Sequence, residues 1–107
     1  MNLSDLGKMK EMMTQAREMQ AQMEQKLVAT IVEAETGGGM VKVRMNGKKE
    51  VLRLTIEPTA LGATTGDIEL LEDLIAAAVN EAGRRADEAI KSSMSGMLGG
   101  LNIPGLE

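Results

Sequence analysis

The chain has no histidine, no cysteine and no aromatic residue, and only two prolines. Each absence removes a class of chemistry. Without imidazole there is no side chain whose ordinary titration falls near neutrality. Without thiol there is no cysteine nucleophile, and thioether sulfur is the only soft metal ligand left. No Trp, Tyr or Phe can stack on a base or a sugar ring. The lack of cysteine excludes a disulfide framework and fits a reducing compartment. No apolar run approaches the roughly 20 residues of a membrane span. The opening Met1-Asn2-Leu3-Ser4-Asp5 lacks the basic and apolar regions of a signal peptide. The expectation is a soluble, cytoplasmic protein that touches no membrane.

What is present is methionine, ten residues of 107. The length suits one domain, which buries only about 60–70% of the surface its unfolded form exposes. With no aromatic residue, the core must come from Leu, Ile, Val, Met and Ala. That scarcity favours a homodimer. The net charge of −4 leans against a nucleic-acid partner, since phosphate binding wants a basic field. The charge is unevenly distributed, however.

Residues 5–27 read as a long amphipathic helix with Ser4 as its cap. With Leu6 at position a of a seven-residue repeat, Leu6, Met13, Gln20 and Leu27 fall at a, and Met9, Ala16 and Met23 at d. Met12 and Met19 widen the stripe, and Gln20 interrupts it. Thioether clusters suit Cu(I), but this spacing points to a packing seam. Met9, Met13, Ala16, Met23 and Leu27 are therefore candidates for helix packing or dimerisation. The alanine face of a later helix (Ala78, Ala82, Ala86, Ala89) is the expected counterpart. Unbranched methionine fills the irregular gaps that alanines leave.

From Val28 the pattern changes. Val28 to Glu35 is rich in β-branched residues, and Gly37-Gly38-Gly39 is a turn signal that permits positive φ. Met40 to Met45 alternates, with Val41, Val43 and Met45 facing one way and Lys42 and Arg44 the other. Asn46-Gly47 signals a type I′ hairpin. Lys49 to Ile56 returns, with Leu52, Leu54 and Ile56 on one face and Val51, Arg53 and Thr55 on the other. Glu57-Pro58 ends that strand, because proline cannot donate to a ladder. Pro58 to Leu61 can form one helical turn and Gly62 to Gly66 a loop. Thr65 or Asp67 can cap a second long helix over 67–95, with its acids at the positive end of the dipole. The fold expected is α+β, in the order α-β-β-β-α, with a three-stranded antiparallel meander between two long helices: one domain over 1–95 and a flexible Gly/Pro-containing tail over 96–107.

No catalytic set emerges, so no enzyme, cofactor, metal or small-molecule substrate is expected. The acids Glu69, Glu72 and Asp73 sit where a helix start favours them. The glycine triplet lacks the Gly-Lys-Ser/Thr ending of a phosphate loop. The basic residues form two groups. Lys42, Arg44, Lys48, Lys49 and Arg53 crowd the meander, either as phosphate contacts or as a solvated sheet face near Glu33 and Glu35. Lys8, Lys10 and Arg17 lie on the first helix and Arg84, Arg85 and Lys91 on the last. On the last helix, Glu81–Arg85, Arg84–Glu88 and Asp87–Lys91 are spaced for i,i+4 pairs.

Several segments, in order, resemble the YbaB/EbfC family of bacterial nucleoid-associated proteins. They are the Met/Gln-rich Met9 to Met23, Gly39-Met40-Val41-Lys42-Val43 with Asn46-Gly47, Ile56-Glu57-Pro58 with Leu61, Leu71 to Ala78 with Asn80-Glu81-Ala82 and Arg84-Arg85, and Ser95-Gly96-Met97 with Pro104-Gly105. The resemblance implies a tweezer-like homodimer, with a central sheet layer and a projecting pair formed by the first and last helices. It implies binding to double-stranded DNA with limited sequence preference and an influence on the nucleoid or on gene expression. The projecting helices are then the first place to seek phosphate contacts. The tail departs from what such a role would use: it ends at Glu107 without Lys or Arg. A rival reading is a protein-interaction adaptor whose Met-rich helix docks partner helices and which binds no nucleic acid.

Overall fold

Asn2 opens the first helix: its side-chain Oδ1 accepts the Asp5 N–H at 2.9 Å, satisfying one of the donors that a helix start leaves unpaired. The computed structural model describes residues 2–63 and 67–99. The order is α1 (Leu3–Ala29), β1 (Ile31–Thr36), β2 (Val41–Asn46), β3 (Val51–Ile56), α2 (Pro58–Ala63) and α3 (Ile68–Gly99). The expected α-β-β-β-α order is present, with α2 a short helix after the strand stop. Its extents are 73 × 31 × 18 Å, an elongated shape that fits a tweezer-like fold.

Both long helices outrun their expected bounds. Asn2, not Ser4, caps α1. At the other end Val28 stays helical because the stop lies at Thr30. The Thr30 N–H reaches the Lys26 and Leu27 carbonyls, and its hydroxyl donates to the Lys26 carbonyl at 2.7 Å. Asp67 caps α3 through the Leu70 N–H at 2.9 Å, and Thr65 lies outside the described residues. Residues 96–99, expected in the tail, continue α3. A lone Gly96 costs a propagating helix only about 1 kcal/mol. Residues 100–107 lie outside the described region.

The three strands form an antiparallel meander in the order β1-β2-β3. Gly37, Gly38 and Gly39 all have positive φ in the first turn, which is why that turn needs the triplet. The second turn differs from expectation. Gly47 is not left-handed, whereas Lys49 is, at φ 64°. The Lys49 N–H donates to the Asn46 carbonyl and the Asn46 N–H to the Glu50 carbonyl. This is a longer loop closed by a left-handed residue, not a two-residue I′ turn. Asn46 is buried inside it. Its Oδ1 accepts from the Lys48 and Glu50 N–H groups, and its Nδ2 donates to Glu50 Oε1.

Register places the faces. Val43 lies opposite Ala34 and Leu54, and Arg44 opposite Glu33 and Arg53. The pairing then shifts, Met45 meeting Val51, so Leu52 is the extra residue of a bulge. Val51 is thereby moved to the Met45 side, away from Arg53 and Thr55, where simple alternation had put it. α3 covers the inner face across β1 and β2. Ala78, Ala82 and Ala86 press against Ala34, Val41, Val43 and Met45, with Leu71, Leu74, Ile75 and Val79 around them. Alanine lets the helix approach closely. Val41 and Val43 are fully buried, each contributing about 1.5–3 kcal/mol.

This overturns one expectation. The alanines face the sheet, not the methionine stripe. α1 has no buried residue, and Met12 and Met19 are 68% and 70% exposed. Ala16 and Gln20 are exposed too, and only Met23 and Leu27 among the seam candidates are half-buried. The alanines were claimed by the strands because the sheet's apolar face is broad and has no other cover within the protomer. β3 is left with Val51, Leu52 and Leu54 exposed.

Candidate nucleic-acid interface

The basic side chains divide by whether a carboxylate already holds them. Among the described residues, Lys8, Lys10 and Arg17 on α1, Arg53 on β3 and Lys91 on α3 have no carboxylate within 4.0 Å. All five are exposed. Lys10 and Arg17 stand seven residues apart, on one line of the helix. Their helix touches the rest of the protomer near its C-terminal end, so these cations lie along a projecting rod.

The hairpin-tip lysines do different work. Lys48 reaches Glu24 of α1 at 3.0 Å, and Lys49 reaches Asp87 of α3 at 2.8 Å. The tip thus holds both long helices. Hydrogen bonding to Glu24 first, and then the fields of Glu24 and Glu50, raise the Lys48 pKa above its ordinary value. Gly47 completes the junction by donating its N–H to the Leu27 carbonyl at 2.8 Å.

On α3, Glu81 gathers two arginines: Arg84 at 2.7 Å and Arg85 at 3.3 Å. The Arg84 hydrogen bonds lead in lowering the Glu81 pKa below the usual carboxylate range. The expected Glu81–Arg85 pair is therefore made. Arg84–Glu88 is not, because Arg84 turns to Glu81, and Asp87 turns to Lys49 instead of Lys91. Arg85 also donates to the Glu33 carbonyl of β1 at 2.6 Å. That contact and the link from the Thr36 hydroxyl to the Leu74 carbonyl at 2.7 Å tie α3 to the edge strand. Neither leaves a sequence signal, since both bridge distant segments.

The outer sheet face carries the remaining cluster. Lys42 meets Glu57 at 3.6 Å, and Arg44 stands 3.9 Å from Glu33. Around them opens a concavity of about 380 Å³, lined by Lys42, Arg44, Arg53, Arg85, Glu33 and Glu35. The sequence candidates thus separate into three places: the α1 rod, the α3 surface with its Glu81 pairs, and the open sheet face, with Lys48 and Lys49 spent at the junction. Among the described residues no cluster of acidic side chains is placed to hold a metal ion, and no helix is long and apolar enough to cross a membrane.

Residues 6–101 match the model of the YbaB/EbfC DNA-binding family. The chain is 63% identical over 100 residues to a nucleoid-associated protein of Acidobacterium capsulatum, covering 91% of this chain and 93% of that one. It is 45% identical over 95 residues to a nucleoid-associated protein of Koribacter versatilis, covering 89% and 92%. Among solved structures, an uncharacterized protein from Helicobacter pylori superposes with a TM-score of 0.63 at 30% identity, over 92% of this chain and 98% of that one.

Proposed function

The chain belongs to the YbaB/EbfC DNA-binding family, and from that premise we propose that it binds double-stranded DNA as a homodimer, with limited sequence preference, in the cytoplasm and on the nucleoid. There it influences nucleoid organisation or gene expression. The family match over residues 6–101 carries this reading. The unpaired Lys8, Lys10 and Arg17 on a projecting helix support it, with Arg84, Arg85 and Lys91 on α3 as further contacts. With no aromatic ring, contact falls to Lys and Arg on phosphates and to DNA shape. A net charge of −4 makes the binding weak and strongly salt-dependent.

The homodimer is supported by surfaces the protomer leaves uncovered: the methionine stripe of α1 and the apolar side chains of β3. A second chain is the partner of matching chemistry that is always present. Such a dimer would bury Met9, Met13, Ala16, Met23 or Leu27 at its helix contacts.

The test is a mobility-shift titration across a salt series on random and AT-rich duplexes. Log K should fall linearly with log salt, and Lys10→Ala/Arg17→Ala should flatten the slope by roughly 0.9 per lost phosphate contact. Absence of binding to any duplex at low salt would sink the DNA reading. It would favour the adaptor instead, a reading to which the exposed methionine stripe also lends itself.

A further inference from the structure

Register sets Arg44 directly opposite Arg53 on the outer sheet face. Like charges placed so are destabilising. Within the fold only Glu33, opposite Arg44 on β1, offsets this pair, and it does so weakly. Arg53 has no carboxylate partner, and Glu33 stands 3.9 Å from Arg44, too far for a hydrogen bond. Protection of an edge strand accounts for a cation on β3, but Arg44 lies on the central strand. Arg44 and Arg53 both line the concavity of about 380 Å³, with Lys42 and Arg85 also in its lining. Glu81 is hydrogen-bonded to Arg85 and Glu57 stands 3.6 Å from Lys42, while Arg44 and Arg53 keep their donors free of hydrogen-bonded acceptors. Thr55 adds a hydroxyl to the wall.

We propose that this concavity is a phosphate-binding site, with Arg44 and Arg53 as its direct ligands. A phosphate oxyanion between the two forks accepts charge-assisted hydrogen bonds from both and removes their mutual repulsion. The shared chemistry is a phosphate group, whether from a nucleic-acid backbone or from a free phosphoanhydride. Its two ligands are distinct from Lys8, Lys10 and Arg17 of α1, and of the other proposed DNA contacts only Arg85 lies in its lining, so either site can fail alone.

The test uses the full chain, with NMR of backbone amides and arginine Nε–H groups, titrated separately with sodium pyrophosphate and with a short DNA duplex. The Arg44 and Arg53 Nε–H signals move with at least one probe. Movement with both assigns a general phosphate site, and movement with the duplex alone assigns the nucleic-acid backbone as the source. Arg53→Gln, at an exposed position, weakens the effective probe about tenfold or more, as loss of one charged hydrogen-bonding group should. Glu33→Gln, which removes a competing carboxylate, tightens it. Lys10→Gln, an equal loss of charge elsewhere, changes pyrophosphate affinity less than about twofold, because exposed charges beyond a Debye length are screened. The proposal is overturned if neither probe moves the Arg44 and Arg53 signals. It is overturned equally if Lys10→Gln weakens pyrophosphate as much as Arg53→Gln does. Duplex-induced shifts confined to α1, with no response of Arg44 and Arg53 to pyrophosphate, would uphold DNA binding while removing this site.

Discussion

The Gly47 N–H donates to the Leu27 carbonyl at 2.8 Å, and a Cβ on Gly47 would stand 2.7 Å from that same oxygen. The hairpin tip and the end of α1 are thus in backbone contact, with Ile90 of α3 closing the third side at 2.9 Å. Glycine is required here for space, since its φ is not positive.

Gly47→Ala should therefore destabilise the protein by about 1–3 kcal/mol, the usual cost of overpacking. Ile90 can rotate away, but the Leu27 carbonyl cannot. Gly7→Ala is the control: nothing lies within 4 Å of its Cβ, and an alanine inside a helix gains about 0.5–1 kcal/mol. Urea melts should separate the first variant from wild type, and circular dichroism should record more helix in the second. An unchanged urea midpoint for Gly47→Ala would refute the junction.

Lys49 presents the opposite case. It holds a left-handed φ of 64°, a conformation costing an L-residue about 1–2 kcal/mol. Lys49→Gly relieves that strain and gives up only an exposed ion pair to Asp87, worth about 0–1 kcal/mol. A net gain in thermal stability is expected. Lys49→Val should lose stability, since a β-branched side chain tolerates that backbone least.

Glu81 supplies a pH signature. Its pKa is lowered in the folded state, by Arg84 first, so its stabilising contribution is complete above the unfolded value. That contribution fades as pH falls through the folded one. Carboxyl NMR should place its midpoint below that of an ordinary glutamate, and Arg84→Ala should raise it more than Arg85→Ala. Lys48 has the reverse sign. Its raised pKa means a contribution present below the unfolded value and lost as pH rises through the folded one. Glu24→Gln should lower the Lys48 midpoint.

The proposed homodimer can be tested on α1. Met13 is 56% exposed, so Met13→Glu costs the isolated protomer little. Light scattering should detect a dimer in wild type and a weakened one in the variant, with the β-sheet spectrum unchanged. Equal association in both would remove Met13 from the interface.

Element order was legible because each period was long and each stop chemically plain: the Gly37–Gly39 triplet, Glu57-Pro58 and Asp67 all act as their residue types suggest. The inner face of β2 was equally plain from Val41, Val43 and Met45. What failed depended on distant partners. The reach of Val28 into α1 is decided by Thr30 capping and the needs of the Leu27 carbonyl. The turn at Asn46 follows from a buried amide serving two N–H groups, where the dipeptide Asn-Gly suggested something simpler. The alanines of α3 had two apolar surfaces to choose between, and sequence spacing does not say which wins. At the candidate site, residue types identified the cations, but not which were already held. Glu24, Asp87, Glu57 and Glu81 settle that through contacts across the fold.

Within the protomer α1 is fixed near one end only. Its 27 residues make a rod of about 40 Å, gripped where Leu27, Thr30 and Gly47 meet. Mechanically it is a cantilever. A rotation of about 10° at the grip sweeps the far tip through about 7 Å, near two base-pair steps along a duplex. Lys8 and Lys10 ride close to that tip, where reach is greatest. Fine alignment is therefore set at the root of the lever, far from any surface the lever touches.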